Sequence, residues 1–85
     1  MKIPIILPEL GTNAESIRVS RWLVEAGDSV DLGDRLVEVL VTGITFDVPA
    51  PAAGILTNIE KSHDAIITAG NTLGWIEQSL DEETE

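Results

Sequence analysis

The most informative segment for predicting the fold is Glu38-Val39-Leu40-Val41-Thr42-Gly43-Ile44-Thr45-Phe46-Asp47-Val48-Pro49. It contains parts of two β-rich runs, Arg35 to Val41 and Ile44 to Val48, with only Thr42-Gly43 between them. β-Branched residues fit a pleated, half-buried surface, and glycine takes positive φ without a steric penalty. The segment therefore predicts a tight β-hairpin whose tip is Gly43.

Further strand-like runs lie on both sides of this hairpin. Apolar and polar residues alternate from Ile17 to about Val24, and two more β-rich runs cover Gly54 to Ile59 and Thr72 to Glu77. Glycine, proline and aspartate mark turns between the runs. Many short strands with closely spaced turns predict an all-β sandwich or barrel.

A weak internal repeat relates residues 27–39 to residues 63–76. The matched pairs are Asp28 with Asp64, Val30 with Ile66, Gly33 with Gly70, Leu36 with Leu73, and Val39 with Ile76. This alignment gives the second copy one extra residue between its Asp and its Gly, as a bulge or a longer turn would require. The repeat predicts two similar halves related by a pseudo-twofold axis, which close on one another because neither half can bury its apolar face alone.

Length and charge restrict the possible functions. The 85 residues correspond to one domain, predicted to cover residues 1–78 and to be followed by an acidic tail or linker start at residues 79–85. A net charge of −10, from 15 acidic and 5 basic side chains, argues against binding to nucleic acid or to an anionic membrane. No apolar run approaches the roughly 20 residues of a transmembrane helix, and no export signal is recognisable, so we expect a cytoplasmic protein.

Individual polar residues predict no catalytic or metal site. His63 is the only histidine, and an exposed loop residue is the simpler interpretation. Asp28, Asp31 and Asp34 are spaced like a loose calcium loop, but they lack its full set of ligands, so turn residues that stabilise their own backbone are expected instead. Trp75 is expected to be partly exposed, which makes it a candidate interface anchor.

The same segments resemble a known family. The opening Leu7-Pro8-Glu9-Leu10-Gly11, the Trp22-Leu23-Val24 segment, the two Gly-Asp turns and residues 45–54 follow the order and spacing of biotinyl/lipoyl carrier domains. The similarity is greatest to the lipoyl domains of 2-oxo acid dehydrogenase acyltransferase components. It implies a flattened barrel-sandwich hybrid of two four-stranded antiparallel sheets, with Trp22 in the core.

The resemblance also implies where a prosthetic group attaches. In such domains a lysine at the tip of a hairpin carries lipoate or biotin in amide linkage, and here that position is Gly43, flanked by Thr42 and Ile44. The carboxylate that usually precedes the lysine is replaced by Thr42. Lys2 and Lys61 are the only lysines, and neither is near the predicted tip. Glycine has no amine to acylate, so we expect neither lipoate nor biotin as a cofactor.

Three functions remain open on this interpretation. The first is a lipoyl-like domain of, or related to, an acyltransferase component that is not lipoylated and works by docking to a dehydrogenase or another component of the complex. The second is a non-enzymic structural or adaptor module of the same fold. The third is a carrier domain whose lysine was deliberately replaced. None of them gives the domain an active site of its own.

Overall fold

The computed structural model describes residues 1–10 and 17–78. These residues form eight β-strands: β1 (Lys2–Ile6), β2 (Ile17–Trp22), β3 (Ser29–Val30), β4 (Arg35–Val41), β5 (Ile44–Pro49), β6 (Gly54–Ile59), β7 (Ile66–Ile67) and β8 (Thr72–Glu77). The described part of the chain has no helix that is long and apolar enough to cross a membrane. The predicted tail at residues 79–85 lies outside the described residues.

The strands form two four-stranded sheets in which every pairing is antiparallel. One sheet has the order β1-β8-β6-β3, and the other has the order β5-β4-β2-β7. The predicted all-β architecture of two four-stranded antiparallel sheets is confirmed. Alternation along the strands explains the layering, because successive side chains point to opposite faces and one face of each sheet is apolar.

The core lies between the two sheets and is entirely aliphatic. Its fully buried members come from both sheets: Ile5, Val19, Leu36, Val37, Val39, Leu56, Leu73 and Ile76 each have 0% of their surface exposed. Among the described residues no polar or charged side chain is buried. The two sheets therefore pack on each other through the hydrophobic effect, since the side chains buried between them are apolar.

The two sheets are related by the predicted pseudo-twofold, since β1-β8-β6-β3 and β5-β4-β2-β7 match strand by strand. The backbone hydrogen bonds repeat as well. Leu7 N donates to Asn71 O at 3.0 Å as Ala50 N donates to Asp34 O at 2.7 Å. A register shift falls between Val19 and Arg21 in β2 and between Leu56 and Asn58 in β6. The first four strands of the chain therefore correspond in order to the last four, β1 to β4 with β5 to β8.

The predicted alignment of the repeat is wrong by one residue at its start. Gly27 N donates to Leu56 O, and its counterpart in the second half is Asp64 N, which donates to Val19 O. Both residues have positive φ, +100° for Gly27 and +70° for Asp64. Asp64 therefore matches Gly27 rather than Asp28, and the two copies have equal length without the extra residue.

The strand ends also differ slightly from the prediction. β2 ends at Trp22 rather than near Val24, because the chain turns away after Leu23 N donates to Leu36 O at 2.8 Å. β5 extends one residue further, to Pro49. The repeat alignment had paired Val30 with Ile66, but the buried counterpart of Val30 is Ile67.

Candidate functional site

The candidate site is the tip of the hairpin formed by β4 and β5. Val41 pairs with Ile44, so the connection contains only Thr42 and Gly43. Both residues have positive φ, 50° for Thr42 and 81° for Gly43. This is the backbone of a type I′ turn, in which glycine at the second central position is favoured. The predicted tight hairpin with Gly43 at its tip is confirmed.

The space around Gly43 is open. A Cβ built on this residue meets no other atom within 4 Å. Thr42 and Gly43 are exposed, and so are the two apolar residues that follow on the same strand, Ile44 at 59% and Phe46 at 41%. The tip therefore presents backbone and apolar surface, with no amine and no carboxylate at the turn itself.

The exposure of Ile44 and Phe46 was not anticipated from the sequence. They pair with the buried Val41 and Val39, so their side chains lie on the core-facing side of the sheet. They remain exposed because they lie near the tip of the hairpin on an edge strand, whereas Val48, further from the tip on the same strand, is buried. The alternation of Ile44 and Phe46 with Thr45 and Asp47 predicts correctly on which face of the sheet each side chain lies. It does not show how much of that face the second sheet covers.

The two lysines lie away from this hairpin. Lys2 is in β1 of the other sheet, opposite Glu77. Lys61 follows β6, and its backbone carbonyl accepts a hydrogen bond from Trp22 Nε1 at 2.8 Å. The structure therefore brings no lysine of the sequence to the β4–β5 turn.

The aspartates of the β3–β4 region act as turn residues, as predicted. Asp28 Oδ2 accepts a hydrogen bond from Glu25 N at 2.8 Å, and Asp34 Oδ2 accepts one from Asp31 N at 2.8 Å. Such bonds between a short acidic side chain and a nearby backbone amide stabilise tight turns. Two of the three carboxylates are thereby accounted for by the fold.

His63 is exposed and connects two parts of the chain. Its Nδ1 lies 2.7 Å from Ser20 O, and its Nε2 lies 3.3 Å from Asp64 Oδ2. Within residues 1–10 and 17–78, no group of three or more His, Asp or Glu residues is arranged to hold a metal ion. The geometry gives His63 a local structural role in joining the loop after β6 to β2.

The two tryptophans occupy different environments. Trp22 packs against the core, and its Cη2 atom would lie 3.0 Å from a Cβ on Gly74, so the indole covers that glycine. Trp75 is half-buried, as expected, and its Nε1 donates to Glu60 Oε2 at 3.2 Å. The structure thus places Trp22 between the sheets and Trp75 at the surface.

Comparison with known proteins agrees with this architecture. Residues 3–76 match the model of the biotin/lipoyl family, described as "Biotin-requiring enzyme". The chain is similar to a solved lipoyl domain of the 2-oxoglutarate dehydrogenase complex from Azotobacter vinelandii, with a TM-score of 0.72 and 22% identity. That superposition covers 89% of this chain and 96% of the other, and it supports the fold.

Relatives with higher sequence identity indicate the family as well as the fold. The chain is 37% identical over 78 residues to the dihydrolipoyllysine-residue acetyltransferase component of the pyruvate dehydrogenase complex of Mycobacterium tuberculosis. It is 32% identical over 84 residues to the dihydrolipoyllysine-residue succinyltransferase component of the 2-oxoglutarate dehydrogenase complex of Rickettsia typhi. These alignments cover 92% and 99% of this chain but only 14% and 21% of the relatives.

Two packed four-stranded antiparallel sheets, one of which carries the exposed β4–β5 hairpin, define the class of the domain. The chain belongs to the biotin/lipoyl family. Within that family it is a lipoyl-type domain related to the acyltransferase components of 2-oxo acid dehydrogenase complexes.

Proposed function

We propose that this domain carries no lipoate or biotin and acts by docking to a protein component of a 2-oxo acid dehydrogenase complex. The observation that carries the proposal is Gly43 at the tip of the β4–β5 hairpin, the position where the family resemblance expects the attachment lysine. Amide attachment needs a free ε-amine, and glycine has no side chain. The domain therefore holds no acyl group and passes no electrons.

The preserved scaffold supports a role that does not need the prosthetic group. The hairpin is well formed without the lysine, and Gly43 relieves the turn of the strain that a side chain brings at φ 81°. An acidic domain of net charge −10 attracts a partner with a basic surface. Binding through exposed charges weakens as salt screens them, so the affinity is expected to fall as ionic strength rises. A cytoplasmic location is part of the same proposal.

The test is the intact mass of the protein and of its Gly43→Lys variant, each co-expressed with a lipoate-attaching enzyme in the presence of lipoate. The variant is expected to fold, because a Cβ at Gly43 meets no atom within 4 Å. Only Gly43→Lys is expected to gain a lipoyl group. The matched control is Gly33→Lys, which places a lysine at another open glycine with φ +90° that is not in the hairpin.

Each other outcome has a defined meaning. A lipoyl group on the unaltered protein contradicts the assignment of Gly43 and ends the non-carrier proposal. If Gly43→Lys and Gly33→Lys both stay unmodified, the tip no longer suits the attaching enzyme, and the structural adaptor function becomes the better explanation. Modification of Gly33→Lys alone would show that the hairpin tip is not what the enzyme selects.

A further inference from the structure

The pseudo-twofold provides an internal comparison of the two outer faces of the molecule. The outer face of the β5-β4-β2-β7 sheet is mainly charged, although Leu40 and Ile66 also lie on it beside Arg18. Arg18 is exposed there, and the ion pairs Arg21–Glu38 at 3.6 Å and Arg35–Asp47 at 3.4 Å are formed on that sheet. Interspersed charges of both signs are what a solvated sheet face carries.

Three of the equivalent positions on the β1-β8-β6-β3 sheet are apolar, while the counterparts of Arg21 and Arg35 are the polar residues Asn58 and Thr72. Ile55 is the counterpart of Arg18, Trp75 of Glu38, and Pro4 of Asp47. Pro4 pairs directly with Trp75, and Ile55 pairs with Glu77, which lies two residues further along the strand of Trp75. These side chains are therefore neighbours on one face, which we call the Trp75 face and define as Pro4, Ile55 and Trp75.

The indole of Trp75 is oriented by a side-chain hydrogen bond. Its Nε1 donates to Glu60 Oε2 at 3.2 Å. Ile55 remains 41% exposed beside it. A large aromatic side chain that is fixed before binding and flanked by exposed aliphatic surface is typical of the residues that dominate protein interfaces. The core does not need this indole, because Trp22 is the tryptophan that packs against it.

The charges of the molecule select the kind of partner. Two copies of this chain each carry a net charge of −10 and repel one another, which disfavours a second copy on this face. The carboxylates at the rim of the face are Glu60, bonded to Trp75, and Glu77, whose Oε2 lies 3.0 Å from the N-terminal ammonium of Met1. Lys2, opposite Glu77 in β1, is a second cation beside this ion pair. The rim therefore carries charges of both signs, and it is the net charge of −10 on the whole chain that favours a partner with a basic surface.

We propose that the Trp75 face is the surface through which this domain docks, and that it binds an apolar patch on the basic surface of a protein partner. The inference rests on the proposed docking function and names the surface that performs it. It places the contact on the sheet that does not contain the β4–β5 hairpin.

The test is an NMR titration of the ¹⁵N-labelled protein with the purified dehydrogenase component of a 2-oxo acid dehydrogenase complex from the same organism. The indole N–H signal of Trp75 and the amides of β1 and β8 are expected to broaden or shift. The indole N–H of Trp22, bonded to Lys61 O, is the internal reference and is expected to stay unchanged.

A pair of matched variants separates contact from charge. Ile55→Arg gives the Trp75 face the residue type found at the equivalent position of the other sheet, and it is expected to weaken binding at least tenfold. Ile66→Arg makes the same substitution at a residue that is 66% exposed on the outer face of the other sheet, and it is expected to change the affinity less than twofold. Both sites are exposed, so both variants are expected to fold.

The remaining outcomes overturn the inference in distinguishable ways. Signal changes confined to Thr42, Gly43 and Ile44 would move docking to the hairpin and leave the proposed function standing. Shifts of the Trp75 signals with the concentration of the domain alone would mean that a second copy covers the face. Absence of binding to the dehydrogenase component would overturn both the inference and the proposed function.

Discussion

Gly74 shows at the scale of one residue how closely the two sheets approach. A Cβ on Gly74 would lie 2.6 Å from the backbone oxygen of Asn58 and 3.0 Å from Cη2 of Trp22. The Asn58 oxygen belongs to the neighbouring strand β6, so it cannot move without disturbing the sheet. Gly74→Ala is therefore expected to cost about 2 kcal/mol by overpacking. For a domain of this size that corresponds to a melting temperature roughly 10 °C lower, measured by circular dichroism.

The control for this prediction is Gly33→Ala. Gly33 has open space around it and a φ of +90°, so alanine there meets backbone strain but no neighbouring atom. That strain costs roughly 1 kcal/mol. If Gly74→Ala melts no lower than Gly33→Ala, the close approach of Trp22 and Asn58 does not restrict this position.

At the scale of the element, the same turn is built twice with different side chains. Asp34 Oδ2 accepts a hydrogen bond from Asp31 N at 2.8 Å in the first half, and Asn71 Oδ1 accepts one from Thr68 N at 2.9 Å in the second. Asp34→Ala and Asn71→Ala are each expected to lower the free energy of unfolding by about 1 kcal/mol in urea titrations. The two turns share no partner, so the double variant is expected to lose the sum.

Asp31→Ala is the matched control for Asp34→Ala. It removes the same charge from the same turn, but the contribution of Asp31 to the bond is its backbone N–H, which alanine retains. Its effect is expected to stay within about 0.5 kcal/mol, the range of ordinary surface substitutions. A loss as large as that of Asp34→Ala would mean that charge, and not the hydrogen bond, stabilises the turn.

At the scale of the whole molecule, the two sheets share one core and are expected to unfold together. Leu36 in β4 and Leu73 in β8 are equivalent and both fully buried, one from each sheet. Leu73→Ala is expected to cost about 2–5 kcal/mol, which is a large part of the stability of a small domain. Its thermal transition should stay single and occur at a lower temperature, because neither sheet buries its apolar face alone.

The two tryptophans allow this cooperativity to be measured sheet by sheet. Trp75→Phe leaves Trp22 to report on the sheet of β2, and Trp22→Phe leaves Trp75 to report on the sheet of β8. Within each variant, the fluorescence midpoint is expected to equal the midpoint from far-ultraviolet circular dichroism. Midpoints that differ between the two probes of one variant would show that the sheets unfold separately.

Features that depend on neighbouring residues could be predicted from the sequence. Alternation and turn residues predicted β4, β6 and β8 at their observed bounds, and the Thr42-Gly43 turn at the observed hairpin. The order of short motifs identified the family. These signals are local, since the side-chain period of a strand and the φ preference of glycine act within a few residues.

Features that depend on residues far apart in the chain became visible only in the folded molecule. β3 and β7 have two residues each, too few to show a period, and they exist because they pair with β6 and β2. The correct match of Asp64 to Gly27 required the hydrogen bonds to Val19 and Leu56. The exposure of Ile44 and the covering of Gly74 by Trp22 likewise follow from how the two sheets pack against each other.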